Sequence, residues 1–252
     1  MTDRAPKVRL FVDAPLAPDG AVPLSREQAH YLGNVMRLGP GAAIAAFNGR
    51  DGEWRAEVAE VGRRGGALVA RERLRPQDAP RDLWLVFAPL KKARTDFIVE
   101  KAAELGAARI CPVQTDHTHA DRIRQDRLQA HAMEAAEQCG GTFVPPVDEL
   151  RALSKVLDGW DAGRILVFAA EGEAGGWPSS GPSSGAGALL AKAPAPAAIL
   201  IGPEGGFSDA ERARLRGLPF VRTISLGPRI LRADTAAVAA LTLWQAQAGD
   251  WG

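Results

Sequence analysis

The sequence predicts two fold classes in series: a small β-rich unit over residues 1–75, then a mostly parallel α/β domain over residues 76–252. Three observations carry this. Up to Leu74 the apolar runs are short and separated by Gly-, Asn- and Asp-rich turns, which suits a meander or small barrel. Arg75 to Arg81, with Pro76 and Pro80, reads as a linker. Beyond it strand-like runs alternate with helical ones, the pattern of parallel strands joined by helical crossovers. With 46% hydrophobic and 24% charged residues, the protein has enough apolar surface to build a core.

Val8 to Val12 is a β-type run, followed by a Pro-rich stretch. Ser25-Arg26-Glu27-Gln28 has the form of a capping box, in which the Ser hydroxyl and the Gln side chain satisfy each other's backbone N–H groups. Ala29, Leu32, Val35 and Met36 then fall on one helical face. Ala42 to Phe47, Glu53 to Val61 and Ala67 to Leu74 are strands, separated by turns at 48–52 and 62–66. In the second domain, Leu83 to Ala88, Ala108 to Val113, Arg164 to Ala169, Ala197 to Ile201 and Val221 to Leu226 read as strands. Arg94 to Leu105 (ending at Gly106), Asp126 to Cys139 and about Ala233 to Gln247 read as helices, and Ser208 with Glu211 forms a capping box for one more. Glu171 to Pro196 is crowded with Gly, Pro, Ser and Ala and is expected to be a mobile surface loop.

Charge narrows the function classes only slightly. Residues 1–75 carry 12 Lys+Arg against 9 Asp+Glu, and residues 76–252 carry 19 against 21, a bias of +3 in front and −2 behind. That permits nucleic-acid contact at the front without demonstrating it. No apolar run approaches the roughly 18 residues that span a bilayer, and Met1 to Lys7 has no leader pattern, so a soluble, cytoplasmic protein is expected with no membrane partner. Cys111 and Cys139 have no CxxC spacing and are expected to be buried thiols. His117-x-His119 lacks zinc-ligand spacing, so no metal is expected, and GxxxxGK[ST] does not occur.

Two glycine-containing segments each follow an apolar strand: Leu200-Ile201-Gly202-Pro203-Glu204-Gly205-Gly206-Phe207-Ser208 and Leu226-Gly227-Pro228-Arg229-Ile230-Leu231-Arg232-Ala233-Asp234-Thr235-Ala236. In parallel α/β sheets, ligands bind beyond the carboxyl ends of strands, and glycines there let backbone approach a ligand closely. Each loop alone reads more readily as a tight turn. The pair defines one candidate crevice, with Leu200, Leu226, Ile230 and Leu231 available to wall an apolar ring.

Leu200 to Ser208 and Leu226 to Thr235 resemble the cofactor-binding motifs of the RsmE-like family of SPOUT methyltransferases. Arg9-Leu10-Phe11, His30 to Arg37 with Leu38-Gly39-Pro40-Gly41, Glu100 to Gly106 and Glu134 to Gly140 extend the resemblance over nearly the whole sequence. It implies a PUA-like β-barrel that helps hold RNA, then an α/β domain whose C-terminal segment is threaded as a trefoil knot. It implies S-adenosyl-L-methionine as methyl donor, one uridine N3 of 16S rRNA in the small ribosomal subunit as acceptor, and a homodimer. The apolar stripe Ala236, Ala237, Ala240, Leu241 and Trp244 offers a dimer face at helical spacing. The donor site carried over comprises Leu200, Ile201, Gly202, Glu204, Gly205, Leu226, Gly227, Ile230, Leu231, Thr235 and Ala236. Two departures stand out: the family's Arg-x-Glu-Thr is Arg232-Ala233-Asp234-Thr235 here, and Gln138-Cys139-Gly140 is followed by Gly141-Thr142-Phe143 rather than by a basic residue.

N3 of uridine is an imide nitrogen, nucleophilic once its proton leaves and charge spreads onto the flanking carbonyls. Arg232, just beyond the second loop, is the candidate cation for that charge, with a capping or salt-bridging role as its structural alternative. Asp234 and Glu204 are the candidate proton acceptors. Arg9, Arg37, Lys91, Lys92 and Arg94 are candidates for phosphate contacts. Two other readings stay open: a SPOUT enzyme acting on a ribose 2′-hydroxyl, and a non-catalytic ribosome-binding protein, which the shortened carboxylate at Asp234 favours.

Overall fold

The computed structural model describes residues 6–120, 122–170 and 193–251. Most of the stretch expected to be a mobile loop, residues 171–192, lies outside the described residues. The protein divides into two compact units, residues up to Ala79 with Ala136–Val144, and Pro80–Ala135 with Pro145–Gly252.

The first unit contains β1 (Arg9–Phe11), β2 (Ala21–Leu24), α1 (Arg26–His30), β3 (Ala43–Phe47), β4 (Glu53–Gly62) and β5 (Gly65–Arg75). They form one sheet in the order β1-β3-β4-β5-β2. The β3-β4-β5 meander is antiparallel, as the alternation and turns require, and β1 joins it parallel to β3. Strand β2 falls in the stretch that the sequence marks only as Pro-rich. Its Pro23 is tolerated because β2 is an edge strand, where a missing N–H breaks no ladder on the open side. Val22, Leu32, Ile44, Trp54 and Leu68 centre the core.

The Ser25 capping box is present as expected, with Gln28 N donating to Ser25 Oγ at 3.2 Å and Ser25 N to Gln28 Oε1 at 2.8 Å. The helical face that follows it needs correction. Ala29 and Leu32 are buried, but Val35 is 59% and Met36 38% exposed. A π turn over Tyr31–Val35, closed by Met36 N donating to Tyr31 O at 2.9 Å, inserts a residue into the helical period. The insertion rotates Val35 and Met36 away from the core.

Arg9 also departs from expectation. Rather than facing solvent for a phosphate, it is half-buried within this unit. Its Nε donates to Glu53 Oε1 at 2.6 Å, its Nη1 to the carbonyls of Ala136 and Glu137 at 2.7 and 2.8 Å, and its Nη2 to that of Gly141 at 2.8 Å. The guanidinium lies 4.6 Å from the Phe47 ring centroid. Ala136 and Glu137 belong to the last turn of a helix, whose carbonyls lack intrahelical partners, so the Arg9 guanidinium caps that helix at its C-terminus. Burial pushes the Glu53 carboxyl up, but hydrogen bonds from Arg9 and Arg75 outweigh it and leave the group below its ordinary value. Arg9→Ala is therefore expected to lower stability by about 2 kcal/mol, the range for charge-assisted hydrogen bonds at a partly buried site. A denaturant midpoint unchanged from wild type would show the clamp to be idle.

In the second unit, β6 (Leu83–Phe87), β7 (Arg109–Gln114), β8 (Arg151–Ala152), β9 (Ile165–Ala169), β10 (Ala197–Ile201) and β11 (Val221–Ile224) form a sheet in the order β11-β9-β10-β6-β7-β8. Every pairing is parallel. Its helices among the described residues are α2 (Lys92–Glu104), α3 (Gln125–Cys139), α4 (Leu153–Asp158), α5 (Asp209–Gly217) and α6 (Ala233–Ala248). The Ser208–Glu211 capping box opens α5 as expected. The short β8 and α4 carry too few residues for a periodic signal in the sequence.

The stripe expected to face a partner does not. Ala236, Ala237, Ala240, Leu241 and Trp244 are all buried within one copy of the protein, where α6 packs on α2 and β10. Trp244 Nε1 donates to Ala193 O at 2.8 Å, so even the indole N–H is satisfied internally. Periodicity shows that a face is covered, not which molecule covers it. Cys111 is buried as expected, and burial pushes its thiol up, whereas Cys139, also expected to be buried, is exposed in the final turn of α3. Among the described residues no helix is long and apolar enough to cross a membrane. Among the same residues no group of three or more His, Cys, Asp or Glu is placed to hold a metal.

Candidate functional site

Strand order locates the site. From β6 the backbone passes to β7 on one side, while from β10, the immediate neighbour of β6, it passes over β9 to β11 on the other. Crossovers leaving in opposite directions open a crevice beyond the carboxyl ends of β6 and β10, the preferred ligand position in such sheets. Both glycine loops emerge at that edge, one after β10 and one after β11.

Residues from three of these connections meet there. Arg94, in the first turn of α2, donates from Nε to Asp234 Oδ2 at 2.7 Å and from Nη2 to Asp234 Oδ1 at 3.0 Å, and its Nη1 pairs with Glu204. One guanidinium thus joins the β10 loop to the start of α6. The sequence suggests a phosphate for Arg94, and here its Nε, Nη1 and Nη2 each donate to one of these two carboxylates. The hydrogen bond from Arg94 is the main reason the Asp234 carboxyl lies below its ordinary value. Asp234 and Glu204, the expected proton acceptors, thus share one guanidinium as partner. The short side chain of Asp234 reaches Arg94 through both oxygens.

The first loop is stiffened by packing. Gly202 is buried, and a Cβ there would lie 2.5 Å from the Phe207 ring, which packs edge-on against Phe168 with centroids 5.0 Å apart. Gly206 N donates to Pro203 O at 2.9 Å in a tight turn. Leu200 and Ile201 are fully buried strand residues, and Leu200 lies in the core cluster with Val86, Phe168 and Phe207. Leu200 therefore offers a ligand only its backbone, a correction to its expected role as an apolar wall. Glu204 and Gly205 are exposed.

The second loop is open. Gly227 has φ +120°, and Ser225 Oγ bridges it, accepting from Gly227 N at 3.4 Å and donating to Gly227 O at 3.2 Å. Leu226 and Leu231 are half-buried, and Ile230 is 76% exposed, an apolar side chain displayed at the crevice edge. Arg232 occupies the N-cap position of α6 without capping it, because only its carbonyl is used, accepting from Ala236 N at 2.8 Å. Its guanidinium is exposed and makes no ion pair with Asp234. Thr235 is exposed, and Ala236 is buried. Of the expected phosphate contacts, Lys91 and Lys92 are exposed at the start of α2, and Arg37 is exposed in the first unit with φ +56°.

His117, which the sequence offers only as a poor metal ligand, has a different role. It follows β7 directly, and its Nδ1 lies 3.0 Å from Gly205 O and 3.2 Å from Gly206 O, which requires Nδ1 to carry the proton. It braces the glycine loop from a neighbouring connection. The one sequence signal for this role is its place at the carboxyl end of a parallel strand.

Comparison with known proteins gives a consistent result. Residues 77–245 match the family model for an RNA methyltransferase domain, and residues 24–69 match that for an RNA methyltransferase PUA domain. The protein is 30% identical to ribosomal RNA small subunit methyltransferase E of Bacillus subtilis over 229 residues, covering 87% of each sequence. It is 26% identical to the protein of that name from Rickettsia conorii, covering 92% and 93%. A Legionella pneumophila protein assigned as a methyltransferase, solved in complex with the bound cofactor SAM, superposes with a TM-score of 0.82 at 27% identity, covering 98% and 99%.

Proposed function

As the protein belongs to the RNA methyltransferase family that includes ribosomal RNA small subunit methyltransferase E, we propose that it transfers a methyl group from S-adenosyl-L-methionine to N3 of one uridine in 16S rRNA. The observation that carries this reading is the pairing of the two glycine loops at the sheet's switch point, tied by Arg94 to Glu204 and Asp234. The residues fit the donor. Leu226, Ile230 and Leu231 supply apolar surface for an adenine, while Gly202, Gly205 and Gly227 leave backbone N–H and C=O groups without side chains over them.

Arg232 would hydrogen-bond a uracil carbonyl as negative charge develops, a role supported by its exposure and by its lack of an ion pair among the described residues. Holding donor and acceptor in line supplies the remainder of the effect. With Asp234 bound through both oxygens to Arg94, the shortened carboxylate no longer favours a non-catalytic protein. A closed barrel in the first unit and a trefoil knot in the second belong to the same reading. The knot reading is compatible with the strand order, in which the late strand β10 lies between the earlier β9 and β6.

Incubation with small subunits lacking the mark, followed by nucleoside mass spectrometry, is expected to find one methyl on uridine N3. A methyl on ribose or on another base would overturn the acceptor. The protein acts in the cytoplasm, where ribosomal subunits are assembled, and the shared family supports a homodimer. Light scattering after size exclusion is expected to give about twice the mass of one copy, and a monomer at micromolar concentration would refute the dimer.

A further inference from the structure

The turn after β7, Thr115 to Thr118, is held by its own hydrogen bonds. Thr115 N donates to Thr118 Oγ1 at 2.9 Å, Thr118 N donates back to Thr115 O at 3.1 Å, and the two hydroxyl oxygens lie 2.8 Å apart. Thr115 is buried, whereas the two residues between the threonines, Asp116 and His117, are exposed. Both reach the segment that follows β10. His117 Nδ1 donates to Gly205 O at 3.0 Å and to Gly206 O at 3.2 Å. Asp116 Oδ2 accepts from Ser208 Oγ at 2.5 Å, and Asp116 N donates to Glu211 Oε1 at 3.0 Å. Ser208 and Glu211 are the capping box of α5, so the turn grips the loop at its glycines and again where it becomes helix.

The grip at the glycines restrains the part of the loop that has most freedom. A peptide unit is planar and rigid, so fixing the direction of a carbonyl also fixes the N–H of the next residue. One N–H holding two consecutive carbonyls therefore orients two peptide planes. Glycine has the widest backbone range of any residue, and Gly206 stands at φ +67°. Packing gives Gly205 little help, because it is exposed and a cavity of about 420 Å³ opens against the turn, lined by Thr115, Asp116, Thr118, Glu211 and Arg214 among others. The approach is also close: a Cβ on Gly205 would lie 3.2 Å from the His117 Cβ. Arg94 holds the neighbouring Glu204 from another connection, so His117 completes a two-sided clasp.

We propose that His117 is a positioning residue for the methyl donor: by holding the Gly205 and Gly206 carbonyls it shapes the glycine loop before the donor arrives, and so sets donor affinity. The inference rests on the donor reading of that loop, and His117 acts through the loop rather than by touching donor or RNA. Without the clasp the loop samples other glycine conformations, and the donor has to order it on binding. That cost appears as weaker affinity, while turnover at saturating donor changes little, because the bound loop regains its shape.

The test compares three variants of the full-length protein by calorimetry with S-adenosylmethionine, steady-state kinetics and thermal melts. His117→Ala is expected to weaken donor binding about five- to tenfold and to raise the donor KM by a similar factor, with kcat at saturating donor within about twofold of wild type. In His117→Asn the amide Nδ2 branches from Cγ as Nδ1 does and can donate to the same carbonyls, so affinity is expected to return to within about threefold of wild type. His117→Gln carries its amide a methylene further out, overshoots those carbonyls and is expected to behave like the alanine variant. Melting temperatures are expected to stay near wild type throughout, because the Thr115 and Thr118 hydrogen bonds remain. Wild-type donor affinity in His117→Ala, an Asn variant no better than Gln, or a kcat that falls while affinity holds would each overturn the positioning role and leave the donor reading standing. A melting temperature that falls with affinity in all three variants would reduce His117 to a general structural contact. Wild-type protein that binds no donor would remove both readings.

Discussion

Arg232→Ala is expected to reduce methyl transfer by roughly a hundredfold or more while leaving S-adenosylmethionine affinity and thermal stability close to wild type, the loss seen when one oxyanion-type donor is removed. The expectation follows from where the side chain sits. Arg232 is exposed at the N-cap of α6, contributes only its carbonyl to the helix, and makes no side-chain hydrogen bond or ion pair among the described residues. Truncation therefore removes no contact that holds the fold. Arg94, the other arginine at this edge, behaves differently: Arg94→Ala would release both Glu204 and Asp234 and loosen the crevice itself. Steady-state kinetics with calorimetry separates the two roles. A melting temperature and donor affinity that fall together in Arg232→Ala would show that residue to be structural.

The parts legible in the sequence are those governed by local chemistry. Both capping boxes form because a hydroxyl and a Glu or Gln three residues apart satisfy backbone donors whatever lies around them. The parallel sheet follows from strands alternating with helices. What the sequence hides depends on partners distant along it. Arg9 caps carbonyls more than 120 residues away, and nothing near position 9 announces them. Arg94 and Asp234, paired across 140 positions, each match a generic chemistry, phosphate contact or proton acceptor, until the fold brings them together. The π turn at Tyr31–Val35 is invisible to any reading that assumes a constant 3.6-residue period.

Gly227→Val is expected to abolish measurable S-adenosylmethionine binding while the protein stays folded. Gly227 has φ +120°, a conformation that residues with a Cβ adopt only under strain of about 1–3 kcal/mol. No described residue lies within 4 Å of where its Cβ would be, so the Cβ itself meets no neighbour among them. The strain is relieved by moving the loop itself, displacing the backbone of Leu226 to Leu231 that the donor is proposed to contact. A shift of about 1 Å in such a site is enough to lose roughly a hundredfold. Gly202→Ala is the contrasting case: its Cβ would lie 2.5 Å from the Phe207 ring in the core, so stability falls along with binding. Calorimetry and thermal melts on both variants distinguish the mechanisms. Wild-type donor affinity in Gly227→Val would mean that the second loop does not form the donor site, and no binding by the wild-type protein would remove the donor reading altogether.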